Sequence, residues 1–220
     1  MDIGSAQSKI NELIREITNV HSDLCDEWIR YAKDNRLELF NQKAKKVVDI
    51  EKDRLMPVIT RYTQFLRERS EITQFDYSDR GFIVNSRIKN INCIEEKYDE
   101  YLNARKEKGE VSINKCFNDL FGIRAIIDCD SLTHDYLKSN MARDDLLLEE
   151  KDTINRKTKI TYKATHIYFK RDNISFRWEL QIWKQCDERS NQKSHERHRY
   201  KYTEWESQTK KRDITQGGTK

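Results

Sequence analysis

Apolar residues in the first third of the chain recur at steps of three and four positions. From Ile10 to Tyr31 this spacing predicts a long amphipathic helix with one apolar stripe. The same spacing predicts a second helix over 40–48 and a third that continues to Leu66. We place the single proline, Pro57, in the first turn of the third helix, where a missing N–H has no helical partner to lose.

Beyond a connection at 70–85 the apolar residues favour strands. GIRAIID, at 122–128, is one β-rich run, and THIYFKRDNISFRWELQIW, at 165–183, predicts two strands joined by a turn at 171–173. Helical patterns lie between and after these runs, at 92–106, 133–142 and 184–205. This order of elements indicates an α+β fold and not repeating βαβ units.

We divide the chain into three parts. Residues 1–79 form a helical N-terminal region, residues 80–205 form the core, and residues 206–220 form a polar tail that is expected to fray, since Ile214 is its only apolar side chain. At 220 residues the chain is long enough to bury a full core and to be an enzyme.

Composition restricts the kinds of partner. Charged residues make up 36% of the chain and nearly balance, leaving a net charge of +4, so a site for an anion must be local. No apolar run approaches the roughly 20 residues of a membrane span, and the N-terminus lacks the pattern of a signal peptide, so we expect a cytoplasmic protein with no membrane partner. Five cysteines without a Cys-x-x-Cys pair favour reduced thiols over disulfides or a zinc site.

Two polar residues interrupt the last apolar strand. In RWELQIW, alternation puts Glu179 and Gln181 on one face and Trp178, Leu180 and Ile182 on the other. Burying a carboxylate without a partner costs several kcal/mol, so Glu179 needs a cation, a metal or hydrogen-bond donors.

Basic residues form a second group. Arg87 and Lys89 project together from extended chain, and Lys97 lies one helical turn after Cys93, so three cations can converge on a polyphosphate. A solvated basic surface is the alternative explanation. Farther along, Arg124 lies within an apolar strand and needs an anion or a stacking partner.

Two alternatives stay open for Asp119, which precedes that strand. It pairs with Arg124 in a structural ion pair, or it joins Glu179 as an oxygen ligand of Mg²⁺. Tyr162 and His166, four positions apart on the next strand, share a face, and an aromatic ring beside cations can stack on a base. The combination favours phosphoryl or pyrophosphoryl transfer, and the chain lacks the glycine-rich loops of common nucleotide-binding folds.

In this order the motifs resemble the synthetase domain of the RelA/SpoT family, in particular its small single-domain members. The resemblance spans roughly residues 80 to 202. The matching residues are Arg87 and Lys89, Cys93 and Ile94 with Lys97, Asp119 with Gly122 and Arg124, Tyr162 with His166, Glu179 with Gln181, and His195 or His198 with Tyr200 and Lys201. It implies a mixed β-sheet synthetase core flanked by helices.

The resemblance also implies a reaction, in which the β,γ-pyrophosphate of ATP is moved to the 3′-hydroxyl of a nucleotide. On the ATP side, Arg87 and Arg124 are expected to sandwich the adenine. Lys89 and Lys97 are expected to hold the phosphates.

On the acceptor side the resemblance implies two carboxylate ligands for Mg²⁺, Asp119 and Glu179. Glu179 is also expected to activate the attacking hydroxyl. Tyr162 is expected to stack on the acceptor base, with His166 and Gln181 orienting the acceptor.

The chain departs from the family pattern in two places. Cys93 stands where the family has serine, and the proline and glycine usual before Tyr162 are replaced by a segment with Arg156, Lys157 and Lys159. Together with its helical N-terminus and its length, this resembles the toxic small alarmone synthetases, and the basic segment favours the 3′-CCA end of tRNA as the acceptor, with a protein antitoxin as a possible partner. The alternatives are synthesis of (p)ppGpp or (p)ppApp from a free guanine or adenine nucleotide, and a family-shaped binding module without activity.

Overall fold

The computed structural model describes residues 3–31, 43–71, 73–77, 82–104, 108–127, 136–137, 139, 146–154 and 161–196. The helices are α1 (Ile3–Tyr31), α2 (Ala44–Glu68), α3 (Ile91–Asp99), which continues as a π-helical turn at Glu100–Ala104, and α4 (Ile113–Cys116). The strands are β1 (Phe82–Ile88), β2 (Phe121–Ile127), β3 (Leu146–Ile154), β4 (Thr161–Phe169) and β5 (Trp178–Lys184). A 3₁₀ turn at Gln185–Asp187 leads into α5, residues 188–196.

The fold is α+β, as predicted, and is built on a five-stranded sheet in the order β1-β2-β5-β4-β3. The two central strands, β2 and β5, are parallel, and the other neighbours pair antiparallel. The sheet is therefore mixed. Neither edge strand was predicted as a strand, since β1 largely falls in the expected connection and β3 falls in a stretch with no assignment. Most positions of β1 are exposed, so its sequence lacks the apolar alternation that marks a half-buried strand.

The first helix has the predicted stripe. Ile10, Ile17 and Trp28 of α1 are almost completely buried, whereas Tyr31, at the end of the same stripe, is 59% exposed. Tyr31 is the last residue of α1, and its ring centroid lies 5.8 Å from those of Trp28 and Phe65. None of the described helices combines the length and apolar composition that crossing a bilayer requires.

The prediction of separate second and third helices is wrong, because Pro57 lies inside the single helix α2. A proline in a helix interior costs about 3 kcal/mol through its missing N–H and its clash with the preceding turn. The face of α2 that carries Leu55, Ile59 and Tyr62 is buried in the core. Each such side chain contributes about 1.5–3 kcal/mol when buried, so the packed face offsets the cost of the proline.

The predicted antiparallel pairing of the last two strands is confirmed, but the connection is longer than a tight turn. β4 ends at Phe169 and β5 begins at Trp178. Within the connection, Asp172 Oδ1 accepts hydrogen bonds from the N–H groups of Ile174 (2.9 Å) and Ser175 (2.7 Å). The aspartate therefore closes the turn at the predicted place, and the chain runs on before pairing resumes.

The N-terminal helices cover one face of the sheet. Trp178 of β5 donates a hydrogen bond from Nε1 to the hydroxyl of Tyr62 at 2.8 Å, and its ring centroid lies 5.1 Å from that of His21. Residues of α1, α2 and the sheet belong to one hydrophobic cluster. The opposite face of β5, which carries Glu179 and Gln181, is thus left for other groups.

The fold also predicts which thiols react. Burial raises the pKa of the Cys25 thiol to about 12, whereas Cys186 is exposed. Because a raised pKa keeps a thiol protonated, about one Cys25 in 10⁴ is a thiolate at pH 8. We expect iodoacetamide at that pH to alkylate Cys186 in the native protein and to reach Cys25 only after denaturation in urea, as read by peptide mass spectrometry. Equal labelling of both in the native protein would contradict the packing of α1.

Candidate active site

The sheet register brings the predicted residues onto one face. Arg87 of β1 lies opposite Gly122 of β2, and Gly122 lies beside Glu179 of β5. In the same way Arg124 lies beside Gln181, and Gln181 lies opposite His166 of β4. Residues paired across neighbouring strands project to the same side. His166 therefore shares a face with Glu179 and Gln181.

Glu179 has the hydrogen-bond donors that its burial demands. The residue is 5% exposed, and its Oε1 lies 2.7 Å from His166 Nδ1 while its Oε2 accepts a hydrogen bond from Gln181 Nε2 at 2.8 Å. Burial by itself raises the pKa of the Glu179 carboxyl group. The hydrogen bond and the charge of His166 outweigh burial and lower that pKa to about 2. Glu179 is therefore ionised at neutral pH.

His166 connects this carboxylate to Tyr162. The hydroxyl of Tyr162 lies 2.9 Å from His166 Nε2, on the far side of the ring from Glu179. The two ring nitrogens of His166 thus pair with two different groups, Nδ1 with the Glu179 carboxylate and Nε2 with the Tyr162 hydroxyl. Lys151 of β3 completes the group, since its Nζ lies 3.0 Å from the hydroxyl of Tyr168 and 3.3 Å from His166 Nδ1.

Asp119 lies between two lysines. Its Oδ2 is 2.5 Å from Lys89 Nζ and its Oδ1 is 2.7 Å from Lys97 Nζ, which also donates to Asn118 Oδ1 at 3.0 Å. The proposed pairing of Asp119 with Arg124 is thus replaced by pairing with the lysines. α3 makes this possible, because the Asn90 side chain caps its start and the helix carries Lys97 back towards Asp119.

The three charges shift one another's pKa values. Burial raises the pKa of the Asp119 carboxyl group, but the charges of Lys97 and Lys89 outweigh burial and lower it well below its usual range. Burial lowers the pKa of Lys97, and the charge of Asp119 more than reverses that effect. For Lys89 burial prevails and its pKa is lowered, with repulsion from Lys97 adding to the effect. Two cations therefore share one carboxylate, an arrangement that phosphate oxygens can complete.

A pocket of about 200 Å³ opens beside these groups. Arg87 and Arg124 line it from β1 and β2, and Gln181 lines it from β5. The guanidinium of Arg124 lies over the ring of Trp183, 3.6 Å from its centroid. Gly122 lies beside Arg87, and a Cβ at position 122 would make an ordinary van der Waals contact with Arg87 Nε at 3.7 Å. The pocket thus offers two planar cations to a flat ligand.

Sequence reasoning missed several residues of this site. Trp183 continues the alternation of Glu179 and Gln181 by one step, which is a signal that the sequence contained. Lys151 lies on an unpredicted strand, and the pocket residues Gln192 and Glu196 lie on α5, a polar helix without any motif of their own. Only tertiary structure identifies these three.

Of the two candidate histidines, His195 and His198, only His195 lies among the described residues. His195 lines the pocket, and its ring centroid lies 5.4 Å from that of Tyr162 and 5.3 Å from that of Trp183. His198 with Tyr200 and Lys201, the basic segment at 156–159, most of the helix predicted at 133–142 and the tail lie outside the described residues.

A magnesium ion fits the chemistry of the carboxylates. The described residues hold no cluster of three His, Cys, Asp or Glu side chains that would form a metal site alone. Mg²⁺ usually binds through one or two carboxylates and takes its other ligands from water and substrate phosphates. The charge of Asp119 raises the pKa of Glu179, so the two carboxylates interact electrostatically. Each carboxylate oxygen also keeps a second lone pair beyond its hydrogen bond.

No protein-family model matches the chain, and no curated protein matches it. Among solved structures, a GTP pyrophosphokinase family protein from Streptococcus pneumoniae is 19% identical over 70% of this chain and 79% of that chain, with a TM-score of 0.41. The small alarmone synthetase 1 of Bacillus subtilis is 17% identical over 69% of this chain and 80% of its own, with a TM-score of 0.39. Its structure with the product pppGpp is 15% identical over 81% and 83%, with a TM-score of 0.37.

Proposed function

We propose that this chain is a pyrophosphokinase that transfers the β,γ-pyrophosphate of ATP to the 3′-hydroxyl of a nucleotide. One observation carries the proposal. Motif residues that are spread from Arg87 to Gln181 along the chain form three groups in the fold. Two arginines line the pocket, and two lysines pair with the carboxylate of Asp119. The buried carboxylate of Glu179 is linked through His166 to Tyr162. These are the parts that positioning and charge stabilisation of a polyphosphate require.

On the donor side, the adenine of ATP lies in the pocket between Arg87 and Arg124. Trp183 stacks against the guanidinium of Arg124 and holds the orientation of its plane. Lys89 and Lys97 turn from Asp119 to the phosphates, and their charges offset the negative charge that develops on the leaving AMP.

On the acceptor side, the 3′-oxygen bonds to the β-phosphorus as the bond from that phosphorus to the α,β-bridging oxygen breaks, and AMP leaves with the bridging oxygen. Glu179, ionised at neutral pH, accepts the hydroxyl proton. Gln181 and His166 hold the Glu179 carboxylate and orient the acceptor, and Tyr162 stacks on the acceptor base. Asp119 and Glu179 would hold Mg²⁺, which when bound would neutralise phosphate charge.

For the acceptor we propose the 3′-CCA end of tRNA, which makes the chain a translation-inhibiting toxin of the cytoplasm with a protein antitoxin. The basic residues Arg156, Lys157 and Lys159, directly before β4, support this choice. Lys43, Lys45 and Lys46 are a second group of cations that could contact a phosphate backbone. Lys46 is exposed, but Lys43 is paired with Glu110 at 2.7 Å and is less available for that contact.

An assay with labelled ATP distinguishes tRNA from free nucleotides as the acceptor. Purified protein, Mg²⁺ and γ-labelled ATP are incubated with deacylated tRNA, or with GDP, GTP or AMP, and the products are separated on a gel and by thin-layer chromatography. We expect label in tRNA and none in tRNA whose terminal ribose has been oxidised by periodate, because the attacking 3′-hydroxyl is then gone. Label in a free nucleotide alone would replace the tRNA proposal by alarmone synthesis. Label in no acceptor would reject the pyrophosphokinase proposal.

A further inference from the structure

Asn191 of α5 is a buried polar residue that none of the motifs includes. It is 0% exposed. Both polar atoms of its side-chain amide form hydrogen bonds with the main chain of Lys163 in β4. Its Oδ1 accepts from the Lys163 N–H at 2.9 Å, and its Nδ2 donates to the Lys163 carbonyl at 2.8 Å. An amide side chain carries the same donor and acceptor as a backbone peptide, so this pairing leaves neither group of Lys163 unsatisfied.

The pairing replaces missing strand contacts. β4 pairs with β5 only from Thr165 onward, where Thr165 lies opposite Ile182. β5 runs on to Lys184 beside β2, but its pairing with β4 stops at Ile182, so the first residues of β4 are not paired with β5. Ser190 likewise takes the place of a strand neighbour, because its Oγ donates a hydrogen bond to the carbonyl of Thr161 at 2.6 Å. Ser190 and Asn191 thus bond the main chain on both sides of Tyr162.

The helix held in this way is the wall of the pocket. Gln192, His195 and Glu196 of α5 line the pocket that Arg87 and Arg124 enter from the sheet. His195 lies one helical turn beyond Asn191 and packs against the ring of Tyr162. The position of the pocket wall and the position of Tyr162 are therefore set by the same two side chains.

We propose that Asn191 is a positioning residue that locks α5 to β4 beside Tyr162, so that the donor pocket and the acceptor tyrosine keep one relative position. The inference rests on the proposed function where it assigns the pocket to ATP and Tyr162 to the acceptor. The lock itself is a property of the contacts of Lys163. A misplacement of about 1 Å in a site of this kind can lower the rate about 10²-fold.

Three variants and a control test the lock. Asn191→Ala removes both bonds to Lys163, Asn191→Asp keeps the acceptor and loses the donor, and Ser190→Ala removes the bond to Thr161. Lys193→Ala, at an exposed position of the same helix, is the control. Amide hydrogen exchange in the peptide that spans residues 161–166, measured by mass spectrometry, reports without any substrate whether α5 is still held to β4.

We expect exchange in this peptide to be about tenfold faster or more in Asn191→Ala and faster by a smaller factor in Asn191→Asp, whose carboxylate still accepts from the Lys163 N–H but cannot donate to the Lys163 carbonyl. In the transfer assay we expect Asn191→Ala to raise KM for ATP and for the acceptor together and to lower kcat/KM by about 10²-fold. Asn191→Asp and Ser190→Ala should lie between it and the control. A variant that is only less stable would lose active protein, lowering kcat with both KM values unchanged.

Two results would overturn the inference: exchange in Asn191→Ala equal to wild type, or KM values within twofold of wild type in a variant that has lost its protection. If Asn191→Ala does not fold, Asn191→Asp and Ser190→Ala decide by the same two measurements. If the wild-type protein transfers no pyrophosphate, the proposed function fails. The exchange comparison then still shows whether Asn191 locks α5 to β4.

Discussion

Replacing Glu179 with glutamine is expected to lower the rate of pyrophosphate transfer by about 10³-fold while the protein stays folded. Glutamine has almost the same shape, and its carbonyl can still accept from His166 Nδ1, so the packing of β5 is kept. What is lost is the negative charge. On the proposed mechanism, the variant lacks the acceptor for the hydroxyl proton and one of the two anionic ligands for Mg²⁺.

The measurement is the initial rate of labelled pyrophosphate transfer at saturating ATP and acceptor, with thermal unfolding recorded for the same samples. Glu95→Gln is the matched control, because it removes the same charge from an exposed position of α3. We expect the control to retain the wild-type rate. A rate for Glu179→Gln within tenfold of wild type would show that another group accepts the proton.

Replacing Asp119 with asparagine is expected to destabilise the protein by about 3 kcal/mol and to abolish transfer. The side chain of Asp119 is 16% exposed, and the side chains of Lys89 and Lys97 beside it are 17% and 12% exposed. Asparagine can accept one hydrogen bond but cannot neutralise either cation. Two buried ammonium groups then repel each other without compensation.

The ion pairs of Asp119 with Lys89 and Lys97 also predict how the stability of the protein depends on pH. The pKa of Asp119 is lowered in the folded protein, so its contribution is fully present above the unfolded carboxyl value, near 3.8, and is lost as the pH falls below that value. Urea unfolding of wild type and Asp119→Asn should therefore give a constant difference in free energy from pH 5 to 7 and a smaller difference in more acidic buffers. Asp99→Asn, on the same helix as Lys97, serves as the control for removal of a charge. A difference that grew on acidification would contradict the double pairing of Asp119.

The sequence by itself determined those features whose cause lies within one segment. The stripe of α1 and the strand character of β2, β4 and β5 follow from side-chain period, which the backbone geometry of helix and strand imposes over a few residues. The need of Glu179 for donors also followed locally, because a carboxylate among aromatic residues is costly wherever that strand packs.

Tertiary structure decided which partners those residues take. Asp119 and Lys89 are 30 positions apart, and no local rule chooses the lysines over Arg124, which lies instead over Trp183. The same holds for Asn191, whose amide pairs with a residue 28 positions earlier at a point where β4 is not paired with β5. Register and strand length fix these choices, and both depend on contacts between segments that the local pattern does not encode.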